Sequence, residues 1–415
     1  MKRSLPAQMC HEWKTNIWIV IELLIVLAVV WFTMLSNMIN IIRVNEPKGF
    51  DETDVYTLNI NYISSESPEY VDMGEATDQN NFLDQKVLIE RIRRNPNVEA
   101  AAFSDNALPY NFSYCGNSLR PADKKDSIEY NGNWRSASPD IARVLRLRSE
   151  TGKSIADLEK MLRNKEFLLG RDAIYESQGR STRDLVGTFM TNDTVNRYKI
   201  GDMIQNIKRS EFEQSWSGTI LAPIDESLQN GERHMNIALR VRPGMGKKFT
   251  EDFNSDPKLR QQRNVVLSSL TSLESSRDLA QRSALADFRS VIGIMALFLV
   301  IVFLGILGSF WYRVQQRHGE IAMRKVCGAT RRQIFARLMS EGTLLLSCSA
   351  ILCAILAIIL LHYFQEQVMG NANLTIFIIC GFISLALMEI MILLGILFPA
   401  RRAMKVEPAI ALKDE

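Results

Sequence analysis

Apolar residues gather in four long blocks: Leu23–Ile42 (extending back to Ile17), Val291–Tyr312, Leu344–Tyr363 and Leu374–Phe398. Each reaches the roughly 20 residues a helix needs to cross a bilayer. Core helices of soluble domains seldom run so long without a charge, so the pattern predicts four transmembrane helices. The first block is too long for a signal peptide, and no small-residue cleavage site follows it. Asn37, Met38, Asn40 and Arg43 lead directly into folded-looking sequence, so it reads as a retained anchor.

Between the first and second blocks the pattern is that of a water-exposed α/β domain. Val55–Ile63 alternates as a strand, and Asn81–Arg94 is an amphipathic helix with Phe82, Val87, Leu88 and Ile92 on its apolar side. Asn95-Pro96-Asn97 ends that helix, and Val98–Phe103 is a second strand. Ser138-Pro139 opens a short helix through Leu147, and Ser154 with Asp157 forms a capping-box pattern for a helix to Arg163. Val195–Ile200, Ile204–Lys208, Gly218–Pro223 and His234–Val241 read as strands, and Lys247–Asn254 as a helix. Val265–Arg289 has no Gly or Pro and reads as a helical stalk running into the second membrane helix. The fold class expected is an α-helical membrane protein with four transmembrane helices, carrying a large α/β extracytoplasmic domain between helices 1 and 2 on that stalk.

Charge sets the orientation. Lys2, Arg3 and Lys14 precede the first block. Arg313, Arg317, Arg324, Lys325, Arg331, Arg332 and Arg337 separate the second from the third, and Arg401, Arg402, Lys405 and Lys413 follow the fourth. Residues 364–373 contain no Lys or Arg. The positive-inside rule therefore places both termini and the Arg317 loop in the cytoplasm. The expected segments are a cytoplasmic 1–16, helix 1 at 17–43, an outer domain with stalk at 44–289 and helix 2 at 290–312. They continue with a cytoplasmic loop at 313–341, helix 3 at 342–363, a short outer loop at 364–373, helix 4 at 374–398 and a cytoplasmic tail at 399–415. The mean hydropathy near zero averages these unlike parts. Only Cys115 of the six cysteines falls in the outer segment, so no intrachain disulfide is available there. The outer domain must hold itself by its own core, for which its length is sufficient, as two subdomains.

Chemistry is sparse. The four histidines are scattered without metal-ligand spacing, and there is no G-x-S-x-G elbow. No G-x-x-x-x-G-K-[ST] occurs; Gly244-Met245-Gly246-Lys247-Lys248 lacks the earlier Gly. The chain is thus expected to be no enzyme, with no cofactor or metal of its own and no nucleic-acid partner. Two acids lie in the apolar blocks, Glu22 near a membrane end and Glu389 deeper. A charge at mid-bilayer costs about 2.5–3.5 kcal/mol on insertion scales, so such residues usually face a partner. Gly305 and Ser309 form a small-xxx-small pair of the kind that brings helices close.

The loop Arg317–Phe335, RHGEIAMRKVCGATRRQIF, is the most informative stretch. Glu320–Cys327 is predicted to be a short helix, acidic at its start and basic at its end, with Gly328 stopping it. Thr330 and Gln333 form a capping box for a second helix, whose face carries Ile334, Phe335, Leu338 and Met339. The charges alone fit equally a loop lying on anionic headgroups, with membrane lipid as partner.

This loop resembles that between the second and third membrane helices of the MacB/FtsX-like permeases of ABC transporters. The tail Pro399–Leu412 resembles the same family's ending, and Arg94–Ala100 its first outer subdomain. The resemblance implies a permease subunit working with a separate ABC ATPase, which would hold the ATP and Mg. It implies a second permease chain, as homo- or heterodimer, and allows a periplasmic adaptor and an outer-membrane channel. It implies a bacterial inner-membrane location and motion passed to the outer domain (mechanotransmission), for export. Arg317, Glu320, Ile321, Arg324, Lys325, Gly328, Ala329 and Thr330 would be the ATPase-coupling residues. Two alternatives stay open: a non-transporting member that regulates a periplasmic enzyme, and a transmembrane ligand sensor.

Overall fold

The computed structural model describes residues 13–74, 77–111, 113–123, 129–171, 179–193, 195–212, 218–224, 236–316, 318–369 and 374–403. The chain forms two compact units, Arg43–Ala284 and Met1–Ile42 with Leu285–Glu415.

The first unit is built on eleven strands: β1 (Val55–Tyr62), β2 (Val98–Asp105), β3 (Gly116–Pro121), β4 (Tyr130–Ala137), β5 (Phe167–Gly170), β6 (Phe189–Thr191), β7 (Tyr198–Ile204), β8 (Gly218–Pro223), β9 (Asn236–Val241), β10 (Gln261–Gln262) and β11 (Val265–Ser272). Their order is β10-β11-β1-β9-β2-β4-β3-β6-β7-β5-β8, and β8 pairs back onto β4 in parallel. β4-β3-β6-β7-β5-β8 therefore closes as a six-stranded barrel, while β10-β11-β1-β9-β2 is an open sheet joined to it at β4. The two expected subdomains are these.

Each part has its own core. α1 (Trp13–Asn45) precedes the sheet; α2 (Thr77–Arg93), α3 (Ile141–Val144), α4 (Ile155–Arg163), α5 (Gly246–Ser255) and α6 (Pro257–Arg260) complete the unit. Phe82, Leu88 and Ile92 of α2 and Phe249 and Phe253 of α5 pack with Phe103, Leu239 and Leu267 of the open sheet. Leu119, Tyr130, Leu169, Met190, Ile200 and Ile220 fill the barrel. A barrel of this size closes on side chains rather than on a channel. The Ser154–Asp157 capping box is complete at the start of α4.

Several elements differ from expectation. Val265–Ser272 is not helix but strand β11, antiparallel to β1 from Tyr62↔Val265 to Tyr56↔Ser272. Its sequence, VVLSSLTS, is rich in residues that suit a pleated surface, and Val265 and Leu267 are buried. The stalk helix α7 (Leu273–Gln316) starts only where that pairing ends. Of the expected strands at 195–200 and 204–208, Tyr198–Ile204 forms one strand, β7, while 205–208 is loop, and the expected helix to Leu147 is the single turn α3.

Two buried cations lock the loops of this unit. Arg240 donates to the Val144 carbonyl at 2.8 Å, Thr53 at 2.7 Å and Asp51 at 2.6 Å. Arg135 donates to the carbonyls of Leu108 and Ile207. Glu52 receives the Tyr110 hydroxyl at 2.6 Å and the ammonium of Lys48 at 3.1 Å, and it pairs with Arg277 in the first turns of α7.

The second unit consists of α1, α7, α8 (His318–Val326), α9 (Arg331–Met369) and α10 (Leu374–Ala403). Four of these helices are long and apolar enough to cross a membrane. Leu23, Val30, Ile306, Phe310, Leu345 and Ile392 are among the residues of their shared core. Outward-facing Ile25, Ile294, Ile358 and Phe382 are exposed, as lipid-facing positions should be. α9 continues past the expected loop start at 364 to Met369; no Gly or Pro interrupts 365–369, and Gln, Glu and Met favour helix.

Polar groups cross-link this bundle. The Trp31 indole donates to the Phe377 carbonyl at 3.0 Å and the Ser349 hydroxyl to Val20 at 2.9 Å. The Thr343 hydroxyl donates to the Glu389 carboxylate at 2.7 Å, so that deep acid is met by a neighbouring helix. Glu22 lies over Gly305, where a Cβ would sit 3.2 Å from its carboxylate oxygen.

Candidate coupling site between the second and third spans

α8 is nine residues long and lies between α7 and α9. Its C-terminus is a complete Schellman motif. Gly328 has φ +91°, a left-handed conformation that favours glycine, and a Cβ there would meet nothing within 4 Å. The Ala329 amide donates to the Arg324 carbonyl at 2.9 Å and the Gly328 amide to Lys325 at 3.0 Å. The next helix is capped at once: the Thr330 amide donates to the Gln333 side chain at 2.9 Å, and the Gln333 amide to the Thr330 hydroxyl at 3.3 Å. Two helix ends are thus satisfied within six residues, which fixes the turn between them.

The short helix is also pinned by packing. Ile321 is buried with Val314 of α7 and Ile334 of α9, and Ala329 and Leu338 pack against them. At 3.6 residues per turn, a residue two places on points to nearly the opposite side. Met323 accordingly faces outward at 55% exposure, and Val326, three residues later on the same side, at 61%. Arg313 at the end of α7 and Glu341 in α9 form a buried ion pair at 3.1 Å beneath this turn.

Of the residues expected to couple, Ile321 is an internal anchor, while Gly328 and Thr330 shape the turn. Arg324 and Lys325 are half-buried near the basic end. Burial, and then the Arg331 charge, push the Lys325 ammonium below the ordinary lysine value. Arg317 lies outside the described residues, as does the Glu320 side chain, and the tail from Met404 onward does too. The outward pair Met323 and Val326 and the Arg313–Glu341 pair were missed from sequence. The two-residue offset from Ile321 was the available signal for the first. Glu341 stands just before the apolar block at Leu344, so it read as loop.

Among the described residues no group of three or more His, Cys, Asp or Glu side chains could hold a metal ion.

Residues 292–408 match the family model described as FtsX-like permease C-terminal. No curated protein matches the chain. Among solved structures, a domain of a permease protein from Porphyromonas gingivalis is similar at 17% identity and a TM-score of 0.32, covering 54% of this chain and 94% of that one. The periplasmic region of MacB from Actinobacillus actinomycetemcomitans is similar at 12% identity and 0.32, covering 58% and 98%. The extracellular domain of the noncanonic ABC-type transporter YknZ from Gram-positive bacteria is similar at 7% and 0.30, covering 51% and 100%. The matched stretch contains α8, its turn and three of the four apolar helices: residues 292–408 are an FtsX-like permease C-terminal domain, borne by a multi-pass membrane protein.

Proposed function

We propose that this chain is the membrane subunit of an ABC transporter, coupling ATP binding and hydrolysis on a separate ATPase to motion of the domain outside the membrane, for export. ATP and Mg belong to that partner; two permease chains and two ATPase chains make the working unit. The termini and α8 face the cytoplasm, and the α/β unit lies outside. The observation that carries the reading is α8: a short helix fixed at its C-terminal turn, anchored inward by Ile321, presenting Met323 and Val326 outward beside a basic end. A rigid element of that kind passes on a push instead of absorbing it. Its exposed apolar pair suits a partner's hydrophobic socket. α7 is one unbroken helix from Leu273 to Gln316, so displacement at its inner end has a direct covalent route outward.

The test is purification of the tagged full chain in mild detergent, with mass spectrometry of what accompanies it. A stoichiometric P-loop ATPase, lost from the Met323→Asp/Val326→Asp variant while the variant stays folded, supports the reading. Retention of the ATPase by that variant would place the coupling surface elsewhere.

A further inference from the structure

The outward face of the barrel carries a groove that the coupling reading does not use. It has a volume of about 580 Å³, within the range of small-molecule sites. Strand alternation builds it. Leu119, Tyr130 and Met190 point into the barrel core, so their neighbours Ser118, Arg120, Asn131 and Thr191 point out. The pairs Ser118↔Asn131 and Arg120↔Thr191 set these four side by side across three strands. Asn117, Glu129 and Asn192 close the ends, and Tyr114 forms one wall.

That wall is held in place. The Arg209 guanidinium lies 4.8 Å from the centre of the Tyr114 ring. On the strand, Gly116 leaves the space the ring occupies, since a Cβ there would come 2.9 Å from the ring. The ring stays half exposed to the groove.

The lining selects by what it lacks as much as by what it offers. Among the described residues no aliphatic side chain lines it, so they offer little to hold a lipid tail or an apolar peptide side chain. β3 pairs with β4 along residues 116–119 and with β6 at Arg120 and Pro121. Among the described lining residues Arg120 and Glu129 carry opposite charges that offset one another, so this lining does not favour a phosphate. Among the described residues neither has an ion-pair partner, and the side-chain amide nitrogens of Asn117, Asn131 and Asn192 have no acceptor. Amides, hydroxyls, one cation, one anion and a fixed aromatic ring match a neutral molecule dense in hydroxyl groups. We infer that this groove binds a neutral oligosaccharide. The inference rests on the coupling proposal only in placing the groove outside the membrane.

The experiment is calorimetric titration of the purified full chain in detergent with cellotriose, maltotriose and triacetylchitotriose, each to ~10 mM. Saturable binding of at least one is expected. Arg120→Ala/Asn131→Ala, at surface positions, should weaken it at least ~10-fold. Gly116→Ala, which displaces the Tyr114 ring, should weaken it without touching a polar contact. Thermal unfolding checks that both variants remain folded. No saturable binding of any of the three overturns the inference, as does binding the variants leave unchanged. So does binding of pyrophosphate or a tripeptide in place of the sugars. None of these outcomes depends on an ATPase, so failure here and failure of the coupling proposal are read separately.

Discussion

The left-handed turn at Gly328 gives a prediction whose size follows from geometry. A Cβ at this position would meet nothing within 4 Å, so a substitution there adds no clash. What it adds is the cost of holding an L-residue at φ +91°, about 1–2 kcal/mol for Ala. Asn, which visits this region readily, should lose less, and Val, branched at Cβ, should lose most. The free energy is spent locally, since Gly328 holds only the end of α8 and the start of α9. The direct readout is hydrogen exchange of the full chain in detergent, followed on peptides covering residues 324–334. The Ala329 amide, which closes the motif on Arg324 at 2.9 Å, should lose protection by about 5- to 30-fold in Gly328→Ala. The order should be Gly, Asn, Ala, Val, and peptides from the barrel should not change. Exchange that stays within about twofold of the parent in both the Ala and Val variants would refute the claim that this turn is a fixed corner.

Further predictions concern the cap, the outer core, pH and the membrane bundle. Thr330→Ala removes the hydroxyl that accepts the Gln333 amide; it should cost about 1 kcal/mol, read as faster exchange at residues 331–334 alone. Arg240→Met strands the carbonyls of Val144, Thr53 and Asp51; at about 1–3 kcal/mol for an unsatisfied buried group, the α/β unit should lose at least about 3 kcal/mol of stability, read as a lower urea midpoint in pulse proteolysis of the full chain. For Glu52, burial raises the pKa, but the Tyr110 hydrogen bond with Lys48 and Arg277 more than offsets it, so the folded value lies below the ordinary 4.5. Its stabilising contribution is therefore complete above about pH 4.5 and disappears as pH falls through the lower folded value. Glu52→Gln should flatten the acid limb of the outer unit's stability curve, and an unchanged acid limb would count against the Glu52 hub. Thr343→Val removes the Glu389 hydrogen bond and should destabilise the bundle by about 0.6 kcal/mol, at most about 1.7, measured by unfolding in mixed detergent micelles.

The parts of this fold that were legible in sequence are those decided by local chemistry. Four apolar blocks announce four helices, and the Ser154–Asp157 and Thr330–Gln333 boxes and Gly328 mark helix ends within a residue or two. The parts that were not legible depend on distant partners. β11 was read as helix because nothing between Val265 and Leu273 breaks a helix, and its partner β1 lies some 200 residues earlier in the chain. The barrel was invisible because β3 (GNSLRP) and β4 (YNGNWRSA) are rich in Gly and Asn, poor strand formers that owe their conformation to pairing. At the candidate coupling site the helix and its stop are legible, but the side Ile321 faces is not, because its neighbours Val314 and Ile334 come from two other helices. The Arg313–Glu341 pair stayed hidden for the same reason: Arg313 was weighed only as an orienting charge.

The central claim, that the outer side of α8 is where a soluble ATPase pushes, is tested most directly by placing a photo-crosslinking residue at Met323 and Val326 in living cells. A third placement at Phe382, an outward position on α10, serves as the lipid-facing control. The account predicts that the first two positions cross-link to one ATP-binding protein with yields that change on ATP depletion, and that Phe382 does not. Adducts with phospholipid alone at all three positions would contradict it, and would make this loop a basic segment resting on the membrane surface.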